Sequence, residues 1–314
     1  MGGATRSDSR HFRLQRLADG VYAAIAVDGG AAVCNAGIVD LGNCTMIFDA
    51  FLTQQAAADL NAAAERLFGG RVGYVVNSHF HNDHIRGNQA FEGARIVATP
   101  KTREWLVENG EEDIRSNARD APEELEALES GEDEMMQREK EMWLGYFRGL
   151  MESFPTLKLK IPDLTFDSSL VFHGTRRTAE VVTYGGGHTK SDSILCLPDD
   201  RIAFMGDLLF VKAHPYLGEG DPAELVRTLV KVGALDMKDL VPGHGPVGTP
   251  QDLGVMCQYV SDLEEMAGEV VKAGGSEDQA AEKAIPPTYE DWRFCIFFEP
   301  NMRYIWRCLS KASC

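Results

Sequence analysis

A mixed α/β fold is what the 314-residue sequence predicts, and three observations carry that prediction. Short apolar or β-branched runs are punctuated by glycine turns. Helical stretches with legible caps lie between them. Several of the runs end directly on His and Asp residues, as strands do when they deliver side chains to one edge of a sheet.

Taken in order, Val21 to Ala26, Ala36 to Asp40 and Thr45 to Phe48 read as strands, separated by turns such as Asp28-Gly29-Gly30 and Leu41-Gly42-Asn43. A helix follows with Thr53 as N-cap, stopped by Gly69-Gly70. Gly73 to Asn77 is a buried strand and Ala94 to Ala98 another. Pro100 to Phe154 is acidic, methionine-rich and helical, without strand signal. Its Trp143, Tyr146, Phe147, Leu150, Met151 and Phe154 recur at three- and four-residue steps, which makes an apolar helix face. Such a face either packs on the core or covers a substrate as a lid, and both roles are compatible. Strands return at Leu157 to Ile161, Leu170 to His173, Glu180 to Tyr184, Ser193 to Leu197, Arg201 to Met205 and Asp239 to Val241. Asp221-Pro222 opens a helix with Asp at the cap and Pro in the first turn, and helices over Gln251 to Lys272 and Asn301 to Lys311 finish the chain. Neither a repeat nor a linker interrupts it, so one domain over residues 1–314 is expected, with residues 100–154 as a helical insertion.

Composition narrows the function. A net charge of -17 repels polyphosphate, so nucleic acid is not an expected partner, although much of the excess sits between Glu111 and Glu141. No run of about 18 apolar residues exists, so no membrane span is expected. The polar N-terminus from Met1 to Arg10 lacks a secretory apolar region, and the seven scattered cysteines never form a Cys-x-x-Cys pair. Free thiols and a cytoplasmic location are the expectation.

The chemistry concentrates in His79-Phe80-His81-Asn82-Asp83-His84, four potential metal ligands in six residues after a buried strand. Neutral imidazoles crowd this closely only when something charged organises them. Three more strands end the same way: Gly185-Gly186-Gly187-His188, Gly206-Asp207 and Gly243-His244-Gly245. Glycine at these points lets backbone approach a metal without steric cost.

The order His-x-His-x-Asp-His, then His, Asp and His, resembles the metallo-β-lactamase superfamily, which includes glyoxalase II and many lactonases. The resemblance runs from about Gly20 to the last helix, with Pro100 to Phe154 matching least. It implies an αββα sandwich with a dinuclear centre at one edge. By that pattern His79, His81 and His188 bind one metal; Asp83, His84 and His244 bind the other; Asp207 bridges. Asp49 orients the histidine loop by hydrogen bonds. Two Zn²⁺ are implied, with Fe or Mn as alternatives. The implied reaction is attack of a metal-bridging hydroxide on the carbonyl of an ester, thioester, lactone or amide, with Asp83 and Asp207 as its catalytic carboxylates.

Within the superfamily the signals diverge. Asp207 is the glyoxalase II and lactonase choice, where B1 β-lactamases carry Cys. Gly185 to Thr189 and Ile194 to Phe210 read closer to the B1 enzymes, yet Phe210 stands where those enzymes place a carboxylate-binding Lys. β-Lactam hydrolysis is at most a side activity. Arg86, Lys190, Lys212 and His214 are candidates to meet a substrate carboxylate, Tyr216 and Trp292 to wall the pocket, and His173 fits no ligand position. A small molecule is the expected partner, with a homo-oligomer left open. Two readings compete with hydrolysis: a mononuclear iron persulfide dioxygenase on the same fold, and a non-catalytic metal-binding scaffold.

Overall fold

The computed structural model describes residues 9–130 and 137–312; the start of the polar N-terminus, residues 131–136 of the acidic stretch and Cys314 lie outside the described residues. Among the described residues a seven-stranded sheet runs in chain order. Its strands are β1 (Phe12–Ala18), β2 (Val21–Ala26), β3 (Ala36–Asp40), β4 (Thr45–Phe48), β5 (Val72–Val76), β6 (Arg95–Ala98) and β7 (Leu164–Thr165). Short turns make β1 to β4 antiparallel, and longer crossovers make β4 to β7 parallel. A five-stranded sheet holds β8 (Ser169–His173), β9 (Thr178–Gly185), β10 (Asp192–Leu197), β11 (Ile202–Phe210) and β12 (Asp239–His244), in the order β12-β11-β10-β9-β8. Only β11 and β12 pair parallel there.

The helices are α1 (Gln54–Phe68), α2 (Asn82–Ile85), α3 (Pro100–Ser130), α4 (Gln137–Ser153), α5 (Pro222–Gly233), α6 (Pro250–Lys272), α7 (Glu277–Ala281) and α8 (Phe298–Ala312). The caps expected from sequence are in place. Thr53 Oγ1 accepts from the Ala56 amide at 3.2 Å, Gly69 closes α1 at φ 68°, and Asp221 accepts from the Glu224 amide ahead of Pro222.

Period-two alternation sorts each strand between two cores. Val21, Ala23, Met46, Phe48 and Val76 of the first sheet meet Leu195, Leu197, Ile202, Phe204 and Val241 of the second. The alternate residues Ala24, Ile38, Ile47 and Val75 face α1. On the second sheet Ile194, Cys196, Ala203 and Met205 face α5, α6 and α8. The layers are therefore helix, sheet, sheet, helix, the αββα arrangement that the resemblance implied.

Two corrections concern strands. Leu157 to Ile161 was expected as a strand and is not one; its backbone is held by side chains instead, the Lys158 amide by Gln89 and the Lys160 carbonyl by Asn88. The sheet edge is β7, beyond Pro162. Conversely, Phe12–Ala18 was not anticipated and forms the opposite edge. The helix pair over residues 100–154 is present as α3 and α4. The face of α4 packs Leu150, Tyr146 and Phe147 with Leu52 and Ala121, so it is also core. None of the described cysteines forms a disulfide, and no described helix is long and apolar enough to cross a membrane.

Candidate metal centre

The histidine loop leaves β5 at the sheet edge. Asn77 ties its ends together, with its Nδ2 bonded to Asn88 at 3.0 Å and near the His84 carbonyl at 3.3 Å. His79 and His81 precede α2, and the single turn of α2 swings Asp83 and His84 to a different side of the same space. From the other sheet, β9 leads to His188, and β11 and β12 carry Asp207 and His244 inside their own length. The β11–β12 register shifts twice, between Phe204 and Gly206 and between Gly206 and Phe210, and these bulges aim the two side chains. A Cβ on Gly243 would lie 1.8 Å from Asp207 Oδ1, and one on Gly206, at φ 51°, would lie 2.6 Å from Ser78 Cβ. Only glycine leaves room for the carboxylate there.

All seven residues singled out from the sequence come together. The donor atoms of His79, His81, His188 and Asp207 lie within 4.8 Å of one another, as do those of His84, Asp207 and His244. Asp207 belongs to both sets. Its Oδ2 is 3.2 Å from His188 Nε2 and 3.8 Å from His79 Nε2; its Oδ1 is 3.1 Å from His84 Nε2 and 3.4 Å from His244 Nε2. Asp83 Oδ2 adds to the second set, 3.5 Å from His84 Nε2 and 3.4 Å from His244 Nε2.

Behind the donors a hydrogen-bond relay fixes which ring nitrogen faces inward. Asp49 Oδ1 accepts from the Ser78 amide and its Oδ2 from Ser78 Oγ, both at 2.8 Å. The same Oδ2 accepts from His84 Nδ1 at 2.8 Å, and Ser78 Oγ in turn accepts from His79 Nδ1 at 2.9 Å. One buried carboxylate thereby turns the Nε2 lone pairs of both histidines to the centre. Asp49 manages this from a left-handed backbone, φ 59°, which Asp tolerates better than most residues.

Charge follows from burial and neighbours. Burial holds the His79 imidazole well below its ordinary range and takes His188 down to about 3. Burial acts the same way on His244, but Asp207 and Asp83 outweigh it and raise that ring to about 9. His84 is raised as well: burial is outweighed by Cys34, Asp207, Asp83 and Asp49 together. Against its own burial, Asp207 is held well below the carboxylate range by His84, His244 and His188.

Several functional neighbours escaped the sequence reading. Glu219, alone between Gly218 and Gly220, accepts from His81 Nε2 at 3.1 Å and leaves His81 Nδ1 facing inward, 3.0 Å from His188 Nε2. Cys34 donates through Sγ to the Asp83 carbonyl at 2.8 Å, beside His84, and burial pushes its thiol up to about 12. Asn82 donates to Tyr146 of α4 at 3.0 Å and to Asn117 of α3 at 3.2 Å, so the histidine loop is tied to both α3 and α4.

The substrate-contact expectations fare differently. Tyr216 does line the cavity in front of the centre, together with His81, Asp83, His188, Asp207 and His244. His214 does not reach it; the ring is fully buried among Tyr259, Trp292 and Phe298, with Nδ1 accepting from Tyr259 Oη and Nε2 donating to the Tyr289 carbonyl. Trp292 is core beside it. Lys212 lines a neighbouring cavity, Lys190 is exposed outside the first, and Arg86 is buried against Asp113 at 2.8 Å. His173 sits exposed at the end of β8 and belongs to none of the donor groups.

The family model of the metallo-beta-lactamase superfamily matches residues 29–244, which is over two thirds of the chain and takes in every donor residue named above. The chain belongs to the metallo-beta-lactamase superfamily. Solved structures agree on the fold of this superfamily member. A metallo-beta-lactamase from Pontibacter korlensis is 18% identical with a TM-score of 0.59, over 80% of this chain and 99% of its own. The metallo-beta-lactamase FIM-1 from Pseudomonas aeruginosa, in its mono-zinc form, is 16% identical with a TM-score of 0.58, over 80% of this chain and 96% of its own. Identity at that level speaks for the fold alone. What the superfamily membership adds is a metal-binding, mostly hydrolytic context for the His and Asp cluster.

Proposed function

We propose that this superfamily member is a dinuclear zinc-dependent hydrolase of an ester, thioester, lactone or amide. The observation that carries the reading is Asp207, whose two carboxylate oxygens face two different donor sets. The donor chemistry fits a pair of divalent cations. His79 Nε2, His84 Nε2 and Asp207 Oδ1 are buried with no hydrogen-bond partner and face the other donors of their groups, as atoms that would share a cation do. His81 Nδ1 and His188 Nε2 lie 3.0 Å apart, close enough for one cation to reach both.

In this reading His79, His81 and His188 would hold one zinc, Asp83, His84 and His244 would hold the other, and Asp207 would serve both. Zinc bound there would supply a water acidified to near neutral pH and a polarised carbonyl. The remaining work belongs to the chain. Asp49 and Ser78 set the ring orientations, and Glu219 holds His81. Asp83 and Asp207 line the cavity and orient the attacking water. The aromatic side chains of α3 and α4 limit the access of bulk solvent.

The rival persulfide dioxygenase would use one iron and leave the His84, His244 and Asp83 set without a task. Metal analysis together with a hydrolysis screen decides. About two zinc per chain with turnover of lactones, thioesters or β-lactams supports the proposal. One iron per chain with oxygen consumption, or full zinc loading with no hydrolysis across those classes and phosphoesters, overturns it.

A further inference from the structure

The cavity in front of the centre has a volume of about 350 Å³, small-molecule size, and its walls differ in kind from its floor. The floor is the polar donor cluster. One wall comes from α3 and the histidine loop, where Trp105 stacks on Phe80 with ring centroids 4.2 Å apart. A second wall is α4, with Trp143 and Tyr146 edge-on at 5.5 Å. The third comes from the segment before α8, where Phe294 and Phe297 lie 6.4 and 6.0 Å from Trp143.

Charge is arranged as tellingly as shape. Among the described residues lining the cavity there is no lysine or arginine. Two carboxylates outside the donor cluster do line it, Asp113 and Glu219. Arg86 stands behind Asp113 with its side chain fully buried and its Nη2 spent on that carboxylate at 2.8 Å. A substrate carboxylate placed against these walls would lose its water, meet no lysine or arginine of the lining, and face two like charges. An aromatic or branched apolar group would displace water from ring faces at no such cost.

We propose that the site takes uncharged esters, thioesters or lactones whose acyl part ends in an aromatic or bulky apolar body, and rejects acyl parts that carry a carboxylate. The inference rests on the hydrolase reading and narrows it. The apolar body lies between Trp105, Trp143 and Phe297, and the scissile carbonyl lies over Asp83 and Asp207. A carboxylate at the far end of the acyl part, away from the metal-binding floor, is disfavoured by Asp113 and Glu219.

The test uses the zinc-loaded full chain and three N-acetylcysteamine thioesters, with 4-phenylbutanoyl, butanoyl and succinyl groups. The phenyl compound should exceed butanoyl about tenfold in kcat/KM and succinyl about a hundredfold. Trp143→Ala should bring the two uncharged thioesters within about threefold of each other while zinc content stays at the wild-type level. Trp105→Ala serves the same purpose should the first variant misfold. Succinyl turned over as well as butanoyl, or a phenyl preference untouched in both variants, overturns the proposal. Calorimetry with 4-phenylbutanamide and butanamide, neither needing turnover, separates it from the reading beneath it. Tighter binding of the phenyl amide, lost in Trp143→Ala, with no hydrolysis of any thioester, ester or lactone, sinks the hydrolase reading and leaves the apolar site standing. Hydrolysis without any phenyl preference does the reverse.

Discussion

Asp49 holds His84 through a 2.8 Å hydrogen bond between Oδ2 and Nδ1, and both side chains are fully buried. That bond leaves the ring's Nε2 facing the donor cluster, 3.1 Å from Asp207 Oδ1. Because Asp49 also anchors Ser78, which anchors His79, its loss disturbs both donor sets. Asp49→Ala should lower zinc affinity by about 10–100-fold, read by competition with a chromophoric chelator. Wild-type affinity in that variant would show that packing alone orients the rings.

Asp207 is the residue whose removal should be most complete in effect. Asp207→Ala takes an oxygen from each donor set at once, so zinc content should fall and hydrolysis should be abolished. His81→Ala removes a donor from one set only, so it should spare more metal than Asp207→Ala while still abolishing hydrolysis. Metal quantification on dialysed protein compares the two. Retained hydrolysis in either variant contradicts the two-metal mechanism.

Glu219 reaches His81 from an exposed loop rather than from the core, with 45% of its side chain open to solvent. Solvent competes with a bond like this, so its effect should be milder than that of Asp49. His81, by its hydrogen bond, holds the Glu219 carboxyl below its ordinary range. Glu219→Gln keeps an acceptor and should change little; Glu219→Ala should weaken zinc binding about tenfold. Equal affinity in the alanine variant and the wild type removes Glu219 from the positioning network.

How much of this was legible depends on whether the signal is local. His79 to His84 is one short string at a strand end, and Gly186-Gly187-His188, Gly206-Asp207 and Gly243-His244 repeat the pattern, so the donors could be read without a fold. Asp49 followed from the superfamily resemblance. Phe12–Ala18 escaped because its Arg and Gln residues hide an edge strand. Leu157–Ile161 misled because apolar alternation looks the same whether the backbone finds a strand or the side chains of Gln89 and Asn88. The apolar face of α4 was visible, but which of its rings meet the cavity depends on how α3 and α4 dock on Asn82 and Arg86. His214 misled for a related reason: proximity to Asp207 in sequence says nothing of the side on which a side chain is buried.

His214 makes the last prediction, because its burial has a sign. In the folded chain, burial lowers its pKa to about 4 against an ordinary 6.5. Above pH 6.5 the ring is neutral whether folded or unfolded and adds no pH dependence. Between pH 6.5 and 4 the unfolded chain takes up a proton that the folded chain refuses, so stability falls as pH drops through that window. The shift corresponds to about 3 kcal/mol once pH is below both values. His214→Gln loses the bonds to Tyr259 and the Tyr289 carbonyl, so at pH 7.5 it should be less stable than wild type by about 1–2 kcal/mol. Its deficit should shrink as pH falls and vanish or reverse near pH 4.5. Urea denaturation of both proteins across this range reads the difference directly, and any zinc release common to both cancels. A deficit that stays constant from pH 7.5 to 4.5 would mean that the buried ring accepts its proton as readily as a solvated one.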